Sequence, residues 1–296
     1  MSGALSEEEA LLACAPVPPD GRIAYGDHPD QVVDLYLPPE PPRGPLTVLL
    51  HGGFWRVAYD RTHLSPLAAA LAREGLPVAL AEYRRAGGGG GFPETFNDVT
   101  NAVRAAAADA GEHASVIVAG HSAGGHLALW AAARPGPVTA AVAIAPVADL
   151  ARAHELRLSD GAVAEFLTGV PLPAAAPTGT AERIADGHGD GIAARIAEVD
   201  PVRLPPRVPV TVLHGTDDSD VPVDLSRRYV AAHRGTAAPT LHELPGVGHY
   251  AAVTPGTAAF EALVAALREA SRAAFGTASG QARPEARSPE QSTPDE

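Results

Sequence analysis

The stretch Gly120-His121-Ser122-Ala123-Gly124 constrains the fold of this chain more than any other. It has the form G-x-S-x-G. Before it runs an apolar, β-branched segment, Ser115-Val116-Ile117-Val118-Ala119, and after it runs a helix former, Gly125-His126-Leu127-Ala128-Leu129-Trp130-Ala131-Ala132-Ala133. A strand that becomes a helix within so few residues must turn sharply. That leaves Ser122 at the tip of strained backbone, and a Cβ two residues away on either side would strike the crossing strand and helix. Strand, sharp turn and helix form the context in which G-x-S-x-G builds a nucleophile elbow. A plain βα turn rich in small residues can carry the same letters, so the rest of the chain has to decide between the two.

A chain of 296 residues suits one large α/β domain or two small ones, and a content of 46% hydrophobic and 19% charged residues can fill a sizeable core. The formal charge of −13 argues against nucleic acid and against anionic membrane surfaces, both of which need clustered Lys and Arg. One cysteine, Cys14, excludes an internal disulfide framework and a Cys-based zinc site. The first residues, Met1-Ser2-Gly3-Ala4-Leu5-Ser6, have no basic n-region and lead into no long apolar run, and no segment reaches the apolar length of a membrane span. The expectation is a soluble cytoplasmic protein. The assembly state is open, a homodimer included.

Taken in order, residues 5–14 read as a short helix with Ser6 as N-cap and Glu9 completing a capping box. Strands are expected at Ile23–Tyr25 and Val32–Leu37. Leu46-Thr47-Val48-Leu49-Leu50 is apolar without alternation, as in a strand of a parallel sheet buried on both faces. A helix at 62–74, a strand at Val78–Ala81 and a helix at 94–109 follow, separated by Arg84–Gly91, whose five consecutive glycines read as a flexible surface loop. A strand is expected at Val138–Ile144. From about 150 to 206 the alternation breaks into short helix candidates (Gly161–Leu167, Ile192–Val199) and a Gly187-His188-Gly189-Asp190-Gly191 run. That stretch reads as a small cap-like insertion with no core of its own. Val210-Thr211-Val212-Leu213 resumes the buried-strand pattern, followed by a helix at 223–233, a strand at Thr240–Leu244 and a helix at 255–274. Residues 277–296 lose almost all apolar character and read as a disordered tail after a single domain over 1–276. The alternation of strand and helix predicts an α/β fold, with a mostly parallel central sheet covered by helices on both faces.

Ligand sites in such sheets lie beyond the carboxyl ends of the strands, and the residues with chemistry fall there. Ser122 follows the 115–119 strand. A serine hydroxyl needs a base to take its proton, and the base needs a carboxylate to orient it. Acid candidates follow the 210–213 strand in His214-Gly215-Thr216-Asp217-Asp218-Ser219-Asp220-Val221-Pro222, where Asp217, Asp218 and Asp220 are all open. The base candidate is His249 in the glycine-rich loop after the last strand; His242 lies inside that strand and would point into a face of the sheet. Acyl transfer also needs N–H donors for a developing oxyanion. Candidates are the N–H of Ala123 and those of Gly53 and Phe54, in His51-Gly52-Gly53-Phe54-Trp55. Trp55 and His126 are candidates to line a substrate pocket. Trp55 has the alternative of packing its loop against the sheet. The order Ser, Asp, His along the chain is that of α/β-hydrolases.

His51-Gly52-Gly53-Phe54-Trp55, taken with Gly120-His121-Ser122-Ala123-Gly124-Gly125-His126-Leu127, resembles the α/β-hydrolase superfamily. Within it the chain is most similar to the kynurenine formamidase (arylformamidase) and related carboxylesterase branch, which carries H-G-G-x-W. Phe54-Trp55 departs from the H-G-G-G of hormone-sensitive-lipase-type esterases. The resemblance covers about residues 30 to 270 and is weakest over the insertion. It implies an H-G-x-x-D-x-x-V-P pattern which, laid on His214-Gly215 and Val221-Pro222, makes Asp218 the acid. It further implies hydrolysis of a small-molecule ester or aryl-formamide, such as N-formylkynurenine, through an acyl-enzyme, with no metal or organic cofactor. A short-chain carboxylesterase with another substrate, a catalytically silent hydrolase fold that binds ligand or protein, and an exopeptidase are the alternatives.

Overall fold

A computed structural model of the chain describes residues 5–41, 44–111, 115–170, 189–235 and 238–280. The elements run α1 (Glu7–Leu12), β1 (Gly21–Ala24), β2 (Val32–Tyr36), β3 (Leu46–Leu50), α2 (Ser65–Arg73), β4 (Val78–Ala81), α3 (Glu94–Ala110), β5 (Val116–His121), α4 (Ala123–Ala132) and β6 (Val138–Ile144). They continue with α5 (Leu150–Glu155), α6 (Leu158–Thr168), α7 (Gly189–Val199), β7 (Val210–Gly215), α8 (Asp224–Ala232), β8 (Thr240–Leu244) and α9 (Ala258–Gly280). Short 3-10 turns lie at Arg61–Leu64, Pro201–Arg203 and Ala251–Val253.

The strands form one eight-stranded sheet in the order β1-β2-β4-β3-β5-β6-β7-β8. The β1–β2 and β2–β4 pairs are antiparallel, and every pair from β4–β3 to β7–β8 is parallel. The apolar runs explain the burial. Side chains alternate across a strand, so Val48, Leu50, Val116, Val118, Ala141, Ala143 and Val212 share one core with α3 and α4. Leu49, Ile117, Ala119, Val142, Ile144 and Leu213 share the other with α2 and α9. A strand that needs apolar groups on both faces shows no polar alternation, which is what the sequence of β3 and β5 displays. All ten residues of α4 are buried, so the helix after the elbow is held from every side. This mostly parallel sheet with helices on both faces is the expected α/β-hydrolase fold.

The insertion does not stand apart. Ala162, Val163, Phe166 and Leu167 of α6 join the same core as α3 and α4. Arg56, in the loop after β3, ties to it: Nε donates to Glu165 Oε2 at 2.8 Å, and the two terminal nitrogens donate to Ser159 Oγ at 2.8 Å and Ser159 O at 2.9 Å. Residues 171–188, including part of the Gly187–Gly191 run, lie outside the described residues.

One expectation needs correcting. Arg84–Gly91 is a folded turn, not a flexible surface loop. The N–H groups of Gly88 and Gly90 donate to Arg85 O at 2.9 and 3.0 Å, and Gly91 N–H donates to Thr95 Oγ1 at 3.0 Å. The Arg84 side chain reaches both oxygens of Asp98 at 2.8 Å, and buried Arg85 pairs with Asp30 at 2.9 Å and Glu82 at 2.8 Å. A Cβ at position 90 would lie 2.1 Å from the Arg84 carbonyl carbon, so glycine there serves close packing. At the other end, α9 extends past the expected boundary at 276 to Gly280, and residues 281–296 lie outside the described residues.

Candidate active site

Ser122 sits between β5 and α4 with φ 57° and ψ −117°, a left-handed backbone that a non-glycine residue adopts only when its surroundings enforce it. The surroundings do so. Ser122 N–H donates to Ile144 O at 2.9 Å, while its carbonyl accepts from His126 N–H at 3.1 Å and Val147 N–H at 3.2 Å. A Cβ at Gly120 would lie 2.1 Å from the Gly124 carbonyl oxygen, and one at Gly124 would lie 2.2 Å from that of Leu50. Both elbow glycines therefore do what the sequence pattern required of them. Gly52 approaches from the facing loop: a Cβ there would stand 3.1 Å from Ser122 Cβ.

That facing loop follows β3. Gly53, Phe54 and Trp55 have φ of 105°, 48° and 57°, three successive residues in the left-handed region. Two of them carry large side chains, so the turn is held against its intrinsic preference. The anchors lie beneath it. His51 Nε2 donates to Glu82 Oε1 at 2.8 Å, the His51 ring stacks on Tyr83 at 4.4 Å between centroids, and Tyr83 Oη donates to His51 O at 2.6 Å. Glu82 also accepts the N–H of Arg61 and of Tyr83 and pairs with Arg85. Burial works to raise its pKa, but His51 and Arg85 outweigh burial and hold the carboxyl down at about 2. Among the described residues, the N–H groups of Gly53, Phe54 and Ala123 donate to no other group of the chain. N–H donors without a partner in the chain can meet a ligand oxygen.

Trp55 takes the packing alternative, and His126 is buried beside it. Trp55 is fully buried and stacks on Phe166 at 4.6 Å, with the His126 ring edge-on to it at 5.3 Å. His126 is fully buried, its Nε2 donates to Val199 O at 3.1 Å, and burial pushes its pKa down to about 4. Both side chains pack behind the loop.

The remaining elements converge beyond β7 and β8. His249 Nδ1 donates to Asp218 Oδ2 at 2.6 Å. That fixes the neutral tautomer with the lone pair on Nε2, the form that can accept a proton. Asp218 is set up by its own turn: Oδ1 accepts the N–H of Asp220 at 3.0 Å and of Val221 at 2.8 Å. His214, fully buried at the end of β7, stands 3.2 Å from Asp218 Oδ2 through Nε2, while its Nδ1 accepts from Ser226 Oγ at 2.7 Å. Burial acts to raise the Asp218 pKa, but the hydrogen bonds from His214 and His249 prevail and hold it well below the usual carboxylate range. Of the three aspartates, Asp218 is the one that meets His249; Asp217 instead accepts from the Thr216 hydroxyl at 2.9 Å. His242 is exposed on β8. His121, beside Ser122, packs its ring 4.6 Å from that of His249 and donates from Nε2 to His249 O at 3.0 Å. Burial, with His249 beside it, holds the His121 pKa well below that of a free histidine, so the ring is neutral.

Sequence reasoning did not single out Glu82, Tyr83, His121 or His214 for these roles. His214 and Glu82 did carry a signal: each is a titratable residue directly after an apolar strand, where a side chain must find a partner or lose its charge.

A family model described as BD-FAE matches residues 33–142, from β2 through most of β6. The chain is 27% identical to esterase LipC from Mycobacterium tuberculosis over 255 residues, 77% of this chain and 59% of that protein. It spans less than two thirds of the length of the curated relatives it matches. Among solved structures, a putative thioesterase from Silicibacter sp. TM1040 is 26% identical, with a TM-score of 0.60 over 82% of this chain and 83% of that one. Esterase B from Lactobacillus rhamnosis superposes with a TM-score of 0.70 over 93% of both chains at 17% identity. These likenesses agree with the sheet order: the chain has the α/β-hydrolase fold.

Proposed function

We propose, from the α/β-hydrolase fold and the groups gathered at its strand ends, that the protein is a serine hydrolase acting on small acyl groups carried as esters or as an aryl-formamide. The observation that carries this reading is the 2.6 Å contact of His249 Nδ1 with buried Asp218, at the same sheet edge as a serine in strained backbone. His249 Nε2 takes the proton of Ser122 Oγ as that oxygen bonds to the substrate carbonyl carbon. The carbonyl oxygen gathers negative charge against the N–H groups of Gly53, Phe54 and Ala123, each donor worth roughly 10²–10³ in rate. His249 then returns the proton to the departing alcohol or amine, leaving an acyl group on Ser122. Water attacks that ester with His249 again as base, releasing the acid and restoring the serine.

The naming of LipC and of esterase B as esterases supports ester cleavage. The formamide reading rests on the likeness of His51–Trp55 to the arylformamidase motif. A fluorophosphonate probe should label the parent protein and fail to label Ser122→Ala, whose turnover should fall by about 10⁴–10⁶. Absence of labelling in the parent favours a ligand-binding protein instead. Rates on N-formylkynurenine beside p-nitrophenyl acetate, butyrate and octanoate then divide the substrate classes. Good acetate turnover with negligible formamide turnover removes the formamidase reading and keeps the esterase.

A further inference from the structure

We propose that Glu7, on the first helix of the chain, is a positioning residue for His249. The inference rests on His249 being the catalytic base and adds a residue that the Ser122–His249–Asp218 arrangement does not include. Glu7 Oε1 accepts the N–H of Gly248 at 2.8 Å, and Oε2 accepts those of Tyr250 and Ala251, each at 3.0 Å. One carboxylate thus grips the backbone on both sides of the histidine, across more than 240 residues of chain.

Other features fit this arrangement. A Cβ at Gly248 would lie 2.8 Å from Glu7 Oε2, so position 248 has no room for a side chain while the clamp is closed. The helix that delivers Glu7 is itself fixed: Ser6 and Glu9 form a reciprocal capping box, and Leu11 is buried in the core that also holds Ala252 and Val253. Glu9 is thereby occupied with its own helix end, and Glu7 is the acid of that first turn that faces the loop. Ionised acceptors bind N–H donors more strongly than neutral ones. The His249 loop therefore has three separate supports: Glu7 on the flanking amides, His121 on the His249 carbonyl at 3.0 Å, and Asp218 on the ring at 2.6 Å.

A base displaced by a fraction of an ångström loses rate without losing substrate affinity. Glu7→Ala is therefore expected to lower kcat on p-nitrophenyl acetate by about tenfold or more with KM within about twofold. Amide hydrogen exchange at Gly248, Tyr250 and Ala251 should quicken by about tenfold in the same variant. Glu7→Gln keeps one acceptor oxygen and should fall between parent and Ala in both readouts, which separates lost alignment from a failure to fold. Glu8→Ala removes an exposed charge from the same turn and should match the parent. Parental kcat in Glu7→Ala overturns the inference, and so does a loss confined to KM. A parent protein with neither turnover nor probe labelling sinks the hydrolase reading itself, a result distinct from an active parent that is indifferent to Glu7.

Discussion

Asp218 is a heavily partnered carboxylate in the proposed mechanism. It accepts two N–H groups from its own turn, meets two histidines and is held ionised to well below the usual carboxylate range. The sign of its effect follows. Its pKa is depressed on folding, so its contribution to stability is complete above the unfolded aspartate value of about 3.9 and is lost only as pH falls below that. Protonation of Asp218 therefore does not set an acid limb of kcat/KM near neutral pH. Asp218→Asn keeps the shape of the side chain but can present an NH₂ to His249 Nδ1, which favours the wrong tautomer. Turnover should drop by about 10⁴ while the fluorophosphonate site remains folded. A drop below tenfold, measured at saturating p-nitrophenyl acetate, would move the acid elsewhere. His214 supports the same carboxylate from behind, through an imidazole fixed by Ser226 and by the Val221 carbonyl at 2.8 Å. His214→Gln should cost far less than Asp218→Asn, because Asp218 keeps its other partners.

Turns and helices carry the next level of constraint, and there the elbow makes the sharpest prediction. Gly124→Ala places a methyl group 2.2 Å from the Leu50 carbonyl oxygen, where backbone rather than a flexible side chain must move. Such overpacking costs about 1–3 kcal/mol or more, and the melting temperature of Gly124→Ala should fall well below that of an alanine at solvent-facing Gly136, which meets nothing within 4 Å. This part of the structure was readable in the sequence because it is local: strand, turn and helix are contiguous, and the glycines announce a close approach. The buried strands were readable for a similar reason, since a strand covered on both faces cannot hide its lack of polar alternation. The Asp218 carboxylate needed the family likeness, because three aspartates within four positions are equivalent until a turn selects one. Glu7 was legible only as one of three consecutive acids in a first turn. What singles it out is a contact with a loop at the far end of the chain, which no local pattern encodes. The Gly87–Gly91 run misled for the opposite reason. Consecutive glycines look flexible in a string, yet here they make room for the backbone of Arg84 and Arg85, whose side chains are tied to Asp98, Asp30 and Glu82. Arg56 shows the same long-range logic between elements. Arg56→Ala removes the donors that hold Ser159 and Glu165 to the loop after β3, so amides of α6 should exchange faster while those of β5 keep their protection.

For the whole molecule, pH is the variable that reaches every buried group at once. His126 is fully buried, and burial lowers its pKa from 6.5 to about 4; His121 is displaced in the same direction by burial and by His249. A histidine whose folded pKa is depressed binds fewer protons folded than unfolded in the interval between the two values. Its stabilising contribution is complete above about 6.5 and drains away as pH falls toward 4. Glu82, held at about 2 against an ordinary value of 4.5, extends the loss in the same sense, from about pH 4.5 down to 2. Acid should therefore begin to unfold the protein in the histidine range, before carboxylates titrate. His126→Gln separates the two contributions. The amide can still donate to the Val199 carbonyl but takes up no proton, so the dependence of unfolding free energy on pH between 6.5 and 4 should become shallower by up to about 1.4 kcal/mol per pH unit, one proton's worth. Urea titrations at pH 7.5, 6, 5 and 4 read that slope directly. An unchanged slope in His126→Gln would mean that the ring takes up its proton within the fold, and that the packing of Trp55, Phe166 and His126 behind the site opens to water as the pH falls.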